Sequence, residues 1–303
     1  MREPSTLAIC IPTFKRPVLL KQCLLAIGEL NLPENLNLLV IVVDNDREQE
    51  GKEVCDNISS SLDQPLHYYV ETERGLCSVR NCLIEKAREH EADLIAFIDD
   101  DEMPHKDWLR NLHDGLVTHS VDIATGPVIP TIEVTPPAEF VMDLKYKTGV
   151  TPRYISTNNV IFSKRLISEL GLTFDLYYNF IGGEDFDFFG RASKLGCTAT
   201  WVNEAVIFEA VLPERETLRY KLFRHYTGGI NNVLRYKKTY SAFAAWLHFI
   251  PKTLGKFIGA VLSLIRAIVN KHRHNLEKAG VKFASGMGYC AGLLNIIHER
   301  YRY

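Results

Sequence analysis

Short apolar runs punctuate the first half of the chain: TLAICI at 6–11, LLVIVVD at 38–44, LHYYV at 66–70, DLIAFID at 93–99 and VDIATG at 121–126. Runs this short and this continuous predict strands buried on both faces. Between them, 16–27, 76–90 and 105–118 place apolar residues at helical spacing. The order strand, helix, strand predicts an α/β fold, with a mainly parallel sheet covered by helices on both sides. From 127 to 160 the pattern loosens, and Pro127, Pro130, Pro136, Pro137 and Pro152 predict an irregular segment. STNNVIFSKRLISELG then predicts a strand and a helix that ends at Gly171. GGEDFDFFGRASKLG (182–196) predicts a glycine turn entering a helix closed by Gly196.

Polar residues gather where the predicted strands end. The first runs into Pro12, Thr13, Phe14, Lys15 and Arg16, the second into Asp44, Asn45 and Asp46, and the fourth into Asp99. In open α/β sheets ligands occupy the crevice beyond the carboxyl ends of the strands, so three such clusters predict one site. The fourth cluster is the densest: FIDDDEMP sets Asp99, Asp100, Asp101 and Glu102 side by side after a strongly apolar run. Four adjacent carboxylates repel one another, and a counter-charge is expected. Alternate positions Asp99 and Asp101 can face one site, and hard oxygen ligands of this kind suit Mg²⁺ or Mn²⁺ bridging to substrate phosphates. A solvated acidic loop is the competing reading of the same run.

Composition narrows the class. A chain of 303 residues, 46% hydrophobic and 24% charged, can bury a large core and is not that of a disordered protein. Seven cysteines without a C-x-x-C pair argue against a disulfide framework or a zinc cluster and predict reduced packing residues. The N-terminal stretch MREPSTLAICIPTFKR lacks a secretory apolar region, so a catalytic part, if the chain has one, is expected to face the cytoplasm. The net charge of −2 hides an asymmetry: 217–276 holds eleven Lys and Arg and no Asp or Glu, leaving 24 basic against 37 acidic residues elsewhere. That distribution predicts an anionic partner for the C-terminal third. The basic residues interleave with apolar helix and not with exposed stacking aromatics, which argues against nucleic acid.

In order along 5–230, CIPTFKR, VVDND, ERGLCSVRN, FIDDDEMP, STNNVIF and GGEDFDF resemble the family 2 inverting glycosyltransferases of the GT-A fold, in particular non-processive bacterial enzymes of exopolysaccharide and lipopolysaccharide assembly such as the succinoglycan-type glucosyltransferases. The resemblance implies a Rossmann-like GT-A domain over 1–236 and a helical membrane-associated appendage over 237–303. It implies a nucleotide-sugar donor, with Pro12, Thr13, Arg16 and Asp44 lining the nucleoside pocket and the Asp44 carboxylate accepting from a uracil imide. Asp44 can equally cap a turn. Arg80 and Asn81 match G-x-x-x-x-R-N beside the nucleotide. Asp99 is implied at the ribose and the metal, Asp101 at the metal, and Asp100 at either, with Asn158 and Asn159 in STNNV also at the substrate.

For the chemistry, Asp185 matches the family's catalytic base, with Glu184 orienting or binding the acceptor and Gly183 letting the backbone approach the sugar. First-turn acids are also favoured in any helix. Arg215 and Arg224 resemble paired arginines that stabilise the leaving diphosphate, or form a basic helix face. Glu209 stands where relatives carry a metal-binding histidine, and His225 is the substitute.

The stretches free of Lys, Arg, Asp and Glu between 239 and 298 fall short of a membrane span. Within 252–270, Lys252, Lys256, Gly259, Ser263, Arg266 and Asn270 recur at helical spacing against a wide apolar remainder, which predicts a helix lying in the membrane interface with its cations towards anionic headgroups. Packing on the catalytic domain or on a second copy is the alternative, so a homo-oligomer remains open. GMGYCAG (286–292) reads as a close-packing turn or a re-entrant piece.

The partners implied are a lipid-linked glycan acceptor, of undecaprenyl diphosphate type or lipid A core, and an anionic membrane surface. The place is the cytoplasmic face of a bacterial inner membrane, peripheral or monotopic. Competing readings are a nucleotidyltransferase, for which CIPTFKR offers no glycine-rich phosphate loop, a sugar-nucleotide-binding scaffold without turnover, and a transferase acting on a soluble acceptor.

Overall fold

The computed structural model describes residues 5–33, 35–131, 146–211, 213–270 and 272–298. In it the chain runs β1 (Ser5–Thr13), α1 (Pro17–Gly28), β2 (Leu36–Asp44), α2 (Lys52–Ser59), β3 (Leu66–Val70), α3 (Leu76–Glu89), β4 (Leu94–Phe97), β5 (Glu102–Pro104), α4 (Trp108–His119), β6 (Ile123–Thr125), β7 (Val128–Thr131) and β8 (Val160–Ser163). Then follow α5 (Glu184–Lys194), β9 (Ala199–Trp201), β10 (Ile207–Ala210), α6 (Pro213–Glu216), α7 (Leu218–Thr239), α8 (Ala242–Asn270) and α9 (Arg273–Leu293).

The main sheet has the order β3-β2-β1-β4-β8-β6-β9, and a small sheet has the order β5-β10-β7. β1 pairs in parallel with β2 and β4, and β2 with β3, while β8 runs antiparallel to β4 and β6. The parallel strands carry the unbroken apolar runs because both faces are covered: Leu7 to Ile11 and Val40 to Val43 are wholly buried. α1 opens on Pro17, whose missing N–H costs nothing at that position, and buries Leu20, Cys23, Leu24 and Ile27. Each such side chain contributes roughly 1.5–3 kcal/mol by leaving water.

One expectation is corrected here. The helix predicted up to Gly171 is one wide turn, Arg165–Glu169, because Lys164 is held by Asp93 at 2.7 Å and Arg165 by Asp122 at 2.9 Å. One compact unit comprises Met1–Asn179 with Glu184–Ala210, the other Phe180–Gly183 with Val211–Tyr303. α7 belongs to the second because small residues let it sit almost in contact with α9: a Cβ on Gly288 would lie 2.1 Å from the Tyr226 carbonyl oxygen. GMGYCAG is therefore a stretch of α9, and its glycines serve close helix packing. Part of the irregular segment, 132–145, lies outside the described residues.

α8 is long and apolar enough to cross a membrane by length and composition, and only 17% of its most apolar window is buried. The stripe expected to face headgroups is partly turned inward: Ser263 is buried, and both it and the Gly259 carbonyl accept from Lys282 of α9. The apolar remainder faces out, the reverse of an ordinary surface helix.

Candidate active site

The first unit gathers its charged residues at the carboxyl ends of β1, β2 and β4, where the acidic run meets two arginines. Successive carboxylates after β4 find different partners. Asp99 lies 3.6 Å from Arg80 Nη2. Asp100 accepts from the Thr13 hydroxyl at 2.8 Å and from Arg16 Nη1 at 3.0 Å, and the same Nη1 donates to Asp101 at 3.1 Å. Glu102 turns inward, accepting from the Asp99 amide at 2.8 Å and from Asn158 Nδ2 at 3.0 Å. Half the answer to the crowding is thus Arg16 and Arg80. It is only half: burial pushes Asp100 up to about 6 and raises Asp99 and Glu102 as well, against the pull of the arginines on the two aspartates. Excess negative charge of this kind fits a divalent cation held by Asp99 and Asp101, since Mg²⁺ and Mn²⁺ take one or two carboxylates and complete their shell with water and phosphate.

Arg80 joins the acidic turn to the next element. Its Nη1 bonds Glu184 and its guanidinium lies 5.9 Å from the Phe174 ring. Burial works against its charge, and Glu184 and Asp99 more than offset that, so the group is held firmly protonated. The start of α3 aims it. Gly75 adopts φ +127, and a Cβ there would overlap the Asn179 side chain at 2.2 Å. Asn179 Oδ1 accepts from the Cys77 and Ser78 amides at 2.9 and 3.1 Å, capping the helix from a hundred residues away. Beside Glu184, the half-buried Asp185 accepts from the Phe186 amide at 2.7 Å. Burial first, and then the Glu184 charge, push its carboxyl up to about 7. A carboxyl poised there can take a proton near neutrality. Gly183, just before it in the chain, has φ +93, a conformation that glycine adopts freely.

Several implied substrate contacts are put to internal work instead. Asp44 is wholly buried, and its oxygens accept from the Asp46 and Gly51 amides and the Tyr68 hydroxyl at 2.8–3.0 Å; it holds the turn after β2. Asn81 exchanges two hydrogen bonds with the Phe174 backbone. Asn159 accepts from Trp108 Nε1 and donates to the Pro127 and Ala205 carbonyls. The Asp44 carboxylate and the Asn81 and Asn159 amides are committed to these bonds, so all three shape the site from behind.

Pro12 and Thr13 end β1 in register with Val43 and Asp44, which brings the first two strand ends together. Glu209 pairs across β10 with Glu102, and the Ala210 amide donates to the Asp101 carbonyl at 2.9 Å, so β10 braces the acidic turn. Arg215, Arg224 and His225 belong to the helical unit. Sequence reasoning missed Glu102, Phe174 and Asn179 as organisers. Only Glu102 carried a local signal, its place in the acidic run.

Residues 8–170 match the family described as Glycosyl transferase family 2, and 94–273 match Glycosyl transferase family group 2. The chain belongs to glycosyl transferase family 2. It is 28% identical over 232 residues to the succinoglycan biosynthesis protein ExoM of Rhizobium meliloti, covering 75% of this chain and 74% of that one. It is 24% identical to the glycosyltransferase AglE of Haloferax volcanii, over 81% of each. Among solved structures, the mannosyltransferase PcManGT of Pyrobaculum calidifontis, in complex with GDP-Man and Mn²⁺, superposes with TM-score 0.64 at 17% identity, over 95% of this chain and 87% of that one. S. aureus TarS 1–349 in complex with UDP gives TM-score 0.57 at 14% identity, over 94% and 90%. The fold is GT-A-like, and the chain is a glycosyltransferase whose relatives act in polysaccharide biosynthesis.

Proposed function

We propose that this glycosyltransferase moves one sugar, with inversion, from a UDP-sugar to a lipid-linked saccharide acceptor in bacterial surface polysaccharide synthesis. The observation that carries the proposal is Asp185: a half-buried carboxyl at about 7, next to the Glu184–Arg80–Asp99 chain that ties it to the acidic turn. In this reading Asp185 accepts the acceptor hydroxyl proton as that oxygen attacks the anomeric carbon. The bond from that carbon to the diphosphate oxygen breaks on the opposite face, and its electron pair leaves with the diphosphate. Single displacement requires one base and no covalent intermediate.

Arg80 bonds Glu184 beside the base, and Glu184 orients the acceptor. Asp99 and Asp101 are the residues that would hold Mg²⁺ or Mn²⁺, which supplies positive charge to the leaving diphosphate. Pro12, Thr13 and Arg16 line the nucleoside side, over a floor kept by Asp44. Asn158 and the Gly183 backbone face the sugar. TarS with UDP and PcManGT with GDP-Man and Mn²⁺ support a nucleoside-diphosphate sugar donor and a divalent metal.

The exposed apolar α8 favours a membrane-lying helical unit and hence a lipid-linked acceptor, of undecaprenyl diphosphate or lipid A core type, at the cytoplasmic face. The test incubates the purified protein with bacterial membranes, labelled nucleotide sugars and Mg²⁺ or Mn²⁺, and reads label in the lipid extract. Wild type is expected to label lipid, and Asp185→Asn to fall by about 10²–10⁴-fold, the usual worth of a positioned base. Label confined to the aqueous phase would transfer the reading to soluble acceptors. Asp185→Asn turnover equal to wild type would remove the base assignment.

A further inference from the structure

We propose that the cavity between α8 and α9 binds the phosphate headgroup of an anionic membrane lipid, whose chains lie along the exposed apolar face of α8. The inference rests on the membrane seating proposed above and adds a defined site to it. The cavity measures about 400 Å³ and is lined by Ser263, Arg266, His274, Glu277, Lys278 and Lys282, among others. Its one lining carboxylate is already committed, Glu277 being paired with Lys221 of α7 at 2.8 Å. Lys282 is half-buried and donates to Ser263 Oγ at 2.9 Å and the Gly259 carbonyl at 3.2 Å, which uses two of the three N–H groups of an ammonium. The third is left for a ligand. α9 starts beside these residues without a side-chain cap on its first turn, so its amides add to a field that already favours an anion.

The adjoining surface says which anion. Ile258, Val261, Leu262, Ile265, Ile268 and Val269 are 50–72% exposed on the helix that carries Ser263 and Arg266. A free phosphate would fill the cavity and leave that face in water. A second copy docked by the same face would set cations against cations, because 217–276 contains no carboxylate to answer them. A lipid phosphate answers both features at once, its charge among Arg266, Lys278 and Lys282 and its hydrocarbon on α8.

The test is flotation of the full chain with phosphatidylcholine vesicles, with and without phosphatidylglycerol. Phosphatidylglycerol is expected to tighten binding, and Arg266→Gln with Lys278→Gln to lose about 25-fold of that affinity, about fivefold per cation, with binding to neutral vesicles unchanged. Lys252→Gln with Lys256→Gln, on α8 but outside the cavity, is expected to lose less. Equal losses in the two pairs would mean a diffuse basic surface and overturn the site. So would loss of the phosphatidylglycerol effect on adding millimolar inorganic phosphate at constant ionic strength, or a stable dimer that vesicles do not dissociate. A chain that floats with neither vesicle sinks the membrane seating itself. Lipid labelling that survives without a phosphatidylglycerol effect leaves that seating standing and removes only this site.

Discussion

Two acidic clusters sit in the first unit, and they differ in what surrounds them. Asp46, Glu48 and Glu50 bring carboxylate oxygens within 4.8 Å of one another, the tightest convergence of potential metal ligands among the described residues. Lys15 stands among them at 3.8–4.0 Å, and Glu48 and Glu50 are 75% and 42% exposed. The second cluster, Asp99 to Asp101 with Glu184 and Asp185, converges less but is largely buried, and its counter-charges are the guanidiniums of Arg16 and of Arg80, the latter only 6% exposed. Water screens Glu48 and Glu50 cheaply, while the buried Asp46 has Lys15 beside it. The second cluster lacks that screening, so Asp99, Asp100 and Asp185 hold their protons more tightly and the two arginines are fixed. Desolvation, more than proximity, marks which group of acids has chemistry to do.

The largest effect expected from breaking this contrast is at Arg80. Arg80→Met leaves Glu184 buried without its cation, and removing one partner of a buried pair costs about 3–5 kcal/mol. Urea denaturation should show that loss, and Glu184→Gln added to Arg80→Met should recover much of it. A single variant as stable as wild type would mean that the Arg80–Glu184 pair adds nothing to stability. Next is the metal: EDTA, or Asp101→Asn, should lower transfer by about 10²–10³-fold, the scale of losing one stabilising charge at a leaving group. Full activity in EDTA would place this enzyme among metal-independent transferases.

The sheet was legible because its strands are short, fully buried and unbroken by polar residues: Leu7 to Ile11 admit no other reading. Strand ends then located the crevice, and the motif order pointed to Asp99, Asp101, Glu184 and Asp185. What could not be read was which polar side chains face inward. Asn81, Asn159 and Asp44 have the chemistry of ligands, and their commitment to the Phe174 backbone, to Trp108 and to the Gly51 amide depends on residues distant in the chain. The same limit hid Asn179, whose partners lie a hundred residues upstream. On α8 the periodicity was visible but its sense was not. Which stripe faces inward is decided by Lys282 reaching Ser263 from another helix.

A smaller effect is expected within the second cluster. With Asp185 at about 7, kcat/KM should fall tenfold per pH unit on the acid side of that value, because the protonated carboxyl cannot accept a proton. Glu184→Gln removes the nearby negative charge and leaves Arg80 without that partner. Both changes favour the ionised form of Asp185, so the acid limb of the pH profile should move to lower pH. A limb that stays in place, or moves up, would assign the titration to another group.

The smallest effect is expected at the first cluster, and it is the one that tests the argument. Glu48→Gln with Glu50→Gln removes two of the three converging acids, yet both side chains are solvated and Lys15 stays within reach of Asp46 at 3.8 Å. Stability should change by no more than about 0.5 kcal/mol. Transfer and its metal requirement should stay at wild-type values, since among the described residues Glu48 and Glu50 pair with Lys15 and not with Asp185 or the acidic turn. If instead the concentration of Mg²⁺ or Mn²⁺ needed for half-maximal activity rose, convergence would count for more than burial. The metal would then belong at the end of β2, with Asp99 and Asp101 left as partners of the two arginines.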